Sequence, residues 1–208
     1  FVPSDEPGQA VDRIIQLIRH AIPRKFRLDP VHDVQVLSPM QRGELGARNL
    51  NVRLQEVLNP GGDGIERFGM VFRTGDKVMQ IQNDYDKDVF NGDIGRIRSL
   101  DPEERELVVE FEGRAVTYDF QELDELVLSY ATTIHKSQGS EYPCVIVPMH
   151  TQHYVMLQRN LLYTAITRGR RLVILVGSKK AVAMAARRAD THQRITTLRD
   201  SLLEQDQT

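Results

Sequence analysis

Cysteine is almost missing from this chain: Cys144 is the single one in 208 residues, and it lies inside an apolar run. An intrachain disulfide framework is therefore excluded, and a reducing, cytoplasmic setting is expected. Long apolar runs are missing as well. No segment approaches the roughly eighteen uninterrupted apolar residues of a spanning helix, so no membrane partner is expected. The first ten residues, FVPSDEPGQA, lack the basic start and apolar stretch of a secretory leader. The most telling scarcity is local. Residues 127–188 hold one acid, Glu141, against nine Lys/Arg, a net of +8. Residues 67–126 show the reverse, eight Lys/Arg against fifteen Asp/Glu, a net of −7. The overall charge of −2 conceals this separation, which points to a polyanion-facing segment beside an acidic one.

What is present suffices for a core: hydrophobic residues make up 40% of the chain, and its length allows one domain with an insert. Val11, Ile14, Ile15, Leu17, Ile18 and Ile22 recur at helical spacing, predicting a helix over 9–21 that Pro23 stops. Val34–Ser38 reads as a short buried strand closed by Pro39. Leu50, Leu54, Val57 and Leu58 mark one face of a helix over 46–58, and NPGGDG (Asn59–Gly64) reads as a loop. Short β-type runs then follow at Lys77–Gln82, Ile94–Leu100, Glu106–Phe111 and Ala115–Phe120, with turn signals between them. They predict a small antiparallel barrel or sheet. An α/β texture returns with a strand at Val127–Thr132, a helix after a turn at Gly139, and a strand at Cys144–Met149. A helix across Arg159–Thr167, a strand at Leu172–Gly177 and a helix over 178–188 complete it. Ile195, Leu198 and Leu202 suggest one last helix. The expected architecture is an α/β domain, a parallel sheet with helices on both faces, formed by 1–66 and 127–208 and interrupted by a β insert at 67–126.

Two segments carry the chemistry. The first, YATTIHKSQGSEYP (Tyr130–Pro143), puts Thr132, Thr133, His135, Lys136, Ser137, Gln138 and Gly139 after a buried strand. Ligands of parallel sheets gather beyond the carboxyl ends of strands. Hydroxyls and an imidazole there suit phosphodiester oxygens, while Gln138 and the Gly139 backbone suit a nucleotide phosphate. Glu141 suits an acceptor for sugar hydroxyls. The second segment, LLYTAITRGRRLVILVG (Leu161–Gly177), ends a short helix with Arg168, Arg170 and Arg171 just before a buried strand. Arg168 alone would be a helix-capping cation worth about 0.3–1 kcal/mol. In this setting an arginine finger on a transferring phosphoryl group is the stronger reading. His150, His153 and Cys144 are spaced too loosely for a metal site, so none is expected. The six Met residues show no cofactor-box pattern and read as core filler.

These segments resemble motifs V and VI of superfamily 1 helicases, in the RecD-like branch. VLSPMQRGELGARNLN (Val36–Asn51) resembles the strand-loop-helix of that branch's motif IV. GDKVMQIQNDYDKDVFNGDIG (Gly75–Gly95) resembles the start of the SH3-type barrel inserted in its second motor domain. The resemblance covers about residues 30–177 in the family's own order. It implies a RecA-like second motor domain with an SH3-like β-barrel insert, from an ATP-dependent helicase moving 5′ to 3′ on single-stranded DNA. Arg168 would sit on the γ-phosphate, and Gln138, Gly139 and Glu141 at the nucleotide. Thr132, Thr133 and His135 would lie against the DNA backbone, with Ser38, Pro39 and Met40 near its path. Lys87 and Tyr85 would contact DNA from the insert. Asn83 and Asn91 belong to the same motif, and all four residues read equally well as a hairpin built from turn-forming residues.

One feature of the family is missing. Neither a GxxxxGK[ST] phosphate loop nor a strand-borne acidic pair for Mg²⁺ occurs; Asp124-Glu125 lacks the apolar strand before it. The chain is thus expected to be a C-terminal motor fragment that cannot hydrolyse ATP alone. ATP and Mg²⁺ would be cofactors of the full-length protein. Its partners would be single-stranded DNA, the absent N-terminal motor domain and recombination or nuclease subunits. The rival readings are a non-catalytic module whose acidic barrel recruits a protein, and an RNA helicase of the same superfamily.

Overall fold

The computed structural model describes residues 1–62 and 64–188. The helix expected around Ile195, Leu198 and Leu202 lies outside them. A two-residue strand, β1 (Val2–Pro3), leads into α1 (Pro7–Gln16), whose Ala10, Val11 and Ile14 are buried. Pro23 does not stop this helix. The chain widens into a π-turn at Leu17–Ala21, where the Ile22 N–H donates to the Leu17 carbonyl, and continues as α2 (Ile22–Phe26). The wide turn opens the hydrogen-bond ladder just ahead of Pro23, whose ring would otherwise collide with the carbonyl four residues back. Arg27, in the left-handed conformation, ends it.

After β2 (Val34–Ser38) and α3 (Ala47–Leu58) comes a ribbon, β3 (Gly64–Arg67) and β4 (Met70–Arg73). Next are β5 (Lys77–Gln80), β6 (Ile94–Asp101), β7 (Glu106–Phe111), β8 (Arg114–Asp119) and β9 (Leu126–Leu128). These five form an antiparallel sheet in the order β8-β7-β6-β5-β9. No β8–β9 ladder closes it among the described residues, so the expected barrel is hydrogen-bonded as an open sheet. The strand expected over Val127–Thr132 divides. Leu126–Leu128 pairs with β5, whereas β10 (Ala131–Thr133) pairs with β2, so the chain changes sheets at Ser129-Tyr130.

The remaining elements are β11 (Tyr142–Met149), α4 (Arg159–Ile166), β12 (Gly169–Gly177) and α5 (Lys179–Arg187). A parallel sheet runs β1-β12-β11-β2-β10. Both faces are covered, which is why β2 is buried at every position. Along β11, Cys144 and Ile146 face the core of α1 and α3, while Val145, Val147 and Met149 face that of α4 and α5. The first of these cores continues without a break into the antiparallel sheet through Phe72, Val78 and Tyr118. No helix among the described residues is long and apolar enough to cross a membrane.

Polar groups join the two sheets. Asp76 is fully buried and accepts from Gln55 Nε2 (2.6 Å), Asn59 Nδ2 (2.7 Å), the Arg73 N–H (2.7 Å) and the Tyr130 hydroxyl (2.8 Å). Lys77 is also buried and donates to the Val34 carbonyl of β2 at 3.1 Å. On the free edge of β10, Asn51 from α3 stands in for a neighbouring strand, with its amide exchanging two 2.8 Å bonds with the Ala131 backbone.

Candidate nucleotide and nucleic-acid interface

The two halves of Tyr130–Pro143 lie at opposite ends of the parallel sheet. Thr133 is level with Ser38 at the carboxyl ends of β10 and β2, whereas Tyr142 pairs with Gly169 at the amino ends of β11 and β12. The expectation that Thr132 through Gly139 crowd at one end is therefore corrected. β10 and β11 are parallel, so the segment between them must return along the sheet. No helix follows Gly139. A short 3₁₀ turn at His135–Ser137 precedes it, and Gly139 itself turns the chain at φ +91° with open space around it.

At the amino end, Arg168 follows the α4 C-terminus, and its carbonyl accepts from the Tyr142 N–H at 2.8 Å. Its half-buried guanidinium donates to the carbonyls of Ser140 (3.1 Å) and Thr164 (3.3 Å) and to Thr167 Oγ1 (3.2 Å). All three acceptors are neutral, and Arg168 forms no ion pair among the described residues. Among the described residues, two of its five N–H groups are left over. Gln138 and Gly139 are exposed beside it. Glu141 is exposed too but engaged, 2.7 Å from Arg170 Nε. Behind this corner a cleft of about 670 Å³ separates Ser140–Pro143 from Asp93–Arg96 and Glu110 of the antiparallel sheet. The corner supplies a cation and free backbone for a phosphate but no phosphate cradle of its own.

At the carboxyl end, Thr132 is buried at the wall of a second cleft of about 480 Å³, Thr133 is half-buried, and His135 and Lys136 are exposed. Ser38, expected near a nucleic acid, is 0% exposed, with its hydroxyl 2.7 Å from the Leu45 carbonyl and 2.9 Å from that of Met40. Pro39 is buried and Met40 half-buried. Ser38 and Pro39 thus shape the 38–45 loop rather than present groups to a ligand.

The insert residues separate in the same way. Lys87 Nζ lies 2.7 Å from Glu122 and 3.4 Å from Asp84, 4.7 Å above the Tyr118 ring. Burial pulls its pKa down, but the two carboxylates outweigh this and hold it above the usual lysine value. A nucleic-acid contact by Lys87 would have to displace these carboxylates. Asn83 accepts from the Asn91 N–H at 2.9 Å and closes the loop. Tyr85 is 77% exposed and edge-on to Phe90 at 5.9 Å, and its hydroxyl accepts from Asn83 Nδ2 at 3.5 Å. The residues considered for metal are dispersed in role. Burial pushes the Cys144 thiol up to about 12, and His150 Nε2 donates to the Asp5 carbonyl at 2.7 Å. Asp76, Lys77 and Asn51 went unnoticed in the sequence; the signal available was a polar residue at an otherwise apolar position.

A parallel sheet covered on both faces and interrupted by an antiparallel sheet is a superfamily 1 helicase-like fold. Residues 50–111 match the ATP-dependent RecD-like DNA helicase SH3 domain, and residues 128–176 match the UvrD-like helicase C-terminal domain. The chain is 44% identical over 155 residues to the ATP-dependent RecD2 DNA helicase of Deinococcus radiodurans, covering 74% of this chain and 21% of that protein. It is 38% identical over 203 residues to the RecBCD enzyme subunit RecD of Mycobacterium tuberculosis, covering 91% of this chain and 34% of that one. The fold resembles that of the Pif1 helicase from Bacteroides in complex with ADP-AlF3 and ssDNA, with TM-score 0.55 and 14% identity over 100% of this chain and 55% of that one. The chain belongs to the RecD-like superfamily 1 DNA helicases and corresponds to their C-terminal region. It spans a fifth to a third of those two curated relatives.

Proposed function

We propose that this chain is the second motor lobe of an ATP-dependent DNA helicase that travels 5′ to 3′ on single-stranded DNA. Residues 1–66 and 127–208 form the lobe and 67–126 the inserted module, whose last strand ends just beyond that boundary at Leu128. The observation that carries this reading is Arg168: a guanidinium with N–H groups to spare and no carboxylate partner among the described residues, beside an open glycine turn at a sheet end.

Bound ATP with Mg²⁺ would supply the phosphoryl group whose cleavage drives movement, on a phosphate loop and acidic pair belonging to an N-terminal motor domain. This chain's part is to bring Arg168 to the developing negative charge, a contribution of about 10³–10⁵ in rate for arginine fingers. Gln138 and the Gly139 backbone border the same corner, and Glu141 can exchange Arg170 for a sugar hydroxyl. At the other end of the sheet Thr132, Thr133, His135 and Lys136 grip phosphates, so closure between motor domains moves a held strand.

The acidic insert favours a second, narrower role. Tyr85 and Phe90 are exposed among Asp86 and Asp88, a setting better suited to a cationic protein segment than to a phosphate backbone.

Binding of labelled oligo-dT tests the nucleic-acid reading: affinity should fall steeply with salt. Absence of binding, with a protein partner retained through residues 67–126, would leave only the second role. The isolated chain should not turn over ATP. Turnover that survives repurification and vanishes in Arg168→Ala contradicts the division of labour.

A further inference from the structure

The β3–β4 ribbon is clamped by the residues beside its turn. The Arg67 guanidinium lies 5.6 Å over the Phe120 ring, and Gln55 Nε2 donates to the Val71 carbonyl at 2.7 Å. The ladder closes at Arg67–Met70, leaving Phe68-Gly69 as a two-residue turn. Both residues have positive φ, +52° and +73°, a turn that Asn-Gly ordinarily fills. A bulky aromatic adopts that backbone at a cost, yet here its ring stands 59% exposed.

Beneath the tip lies the second cleft. Arg48 Nη2 is 3.6 Å from where a side chain on Gly69 would begin. Arg48, Arg73 and Lys136 line the cleft with Thr132, and Glu56 is its one carboxylate. None of those three cations forms an ion pair among the described residues, whereas Glu56 lies 3.7 Å from Arg53. An aromatic face beside unspent cations matches the alternation of base and phosphate along a single strand. A duplex keeps its base faces stacked and offers none to such a ring.

We propose that Phe68 is a stacking platform for one base of the bound single strand, with Arg48, Arg73 and Lys136 on the flanking phosphates. This rests on the single-strand reading above and adds the residue that holds a base rather than the backbone. The ribbon presents Phe68 rigidly because the ladder residues beside the turn are tied both to α3 and to the insert.

The test compares oligo-dT with an abasic oligonucleotide of equal length, bound to the full-length protein. Phe68→Ala should weaken oligo-dT binding about tenfold and leave abasic binding within about twofold; Phe68→Tyr should behave as wild type on both. An unchanged oligo-dT affinity in Phe68→Ala overturns the proposal while wild-type binding keeps the single-strand reading. Equal loss on both oligonucleotides also overturns it, since the ring then acts through something other than a base. No wild-type binding of oligo-dT removes both.

Discussion

Replacing Asp76 by Asn would cut the seam between motor sheet and insert without changing side-chain volume. All four groups around Asp76 are donors: Gln55 and the Arg73 N–H on Oδ2, Asn59 and the Tyr130 hydroxyl on Oδ1. An amide offers one oxygen, so whichever way it turns, two donors lose their acceptor and face an NH₂ group. Hydrogen bonds to a charged group contribute about 1.5–3 kcal/mol each. Part of the loss is recovered as the neighbours relax, giving an expected destabilisation of about 3–5 kcal/mol. That is a large share of the roughly 5–15 kcal/mol available to a domain. Equilibrium urea unfolding measures it, with the exposed Asp86→Asn as control, expected to change stability by less than about 0.5 kcal/mol. A loss below about 1 kcal/mol for Asp76→Asn would refute the assignment of Asp76 as the hub of the seam.

Two buried bases should give pH dependences of the same sign in different windows, since burial lowers both pKa values and stability rises with pH through each. Burial lowers the Lys77 ammonium to about 8, against the pull of Asp29 and Asp33. The unfolded chain therefore binds the extra proton between about pH 8 and 10.5, and stability rises over that window by about 3 kcal/mol relative to Lys77→Met, measured by urea midpoints. A flat difference contradicts the burial of the charge. His153 is pushed down to about 4 by burial and by His150, so its contribution is intact above about pH 6.5 and is lost as pH falls toward 4. Wild type should lose about 2–3 kcal/mol more than His153→Gln across that range, followed by thermal or urea unfolding; parallel profiles would contradict it.

The elements legible in the sequence were those whose periodicity follows from being covered by neighbours. β2, β11 and β12 are apolar runs because the parallel sheet is buried on both faces, and α1 and α3 carry clean apolar stripes. Illegible features depended on partners distant in sequence. Pro23 looked like a stop because the compensating π-turn leaves no mark in residue types. Val127–Thr132 looked like one strand because both sheets ask for the same β-branched and apolar residues. Ser38 and Lys87 looked available because only the fold brings Leu45 and Glu122 to them. Conversely Phe68 went unnoticed because an aromatic before a glycine signals nothing until the turn is seen to leave its ring exposed above Arg48. The candidate site was readable as a set of residues but not as a layout, since the return of the chain along the sheet is a consequence of strand direction.

The claim that Arg168 completes a nucleotide site begun by another domain is tested most directly by single-strand-stimulated ATP turnover of the full-length protein carrying Arg168→Ala. The account predicts a fall in kcat of about 10³-fold or more, with nucleotide affinity within a few-fold of wild type and no rescue by Arg168→Lys, whose ammonium lacks the planar fork. A kcat for Arg168→Ala within a few-fold of wild type would contradict it.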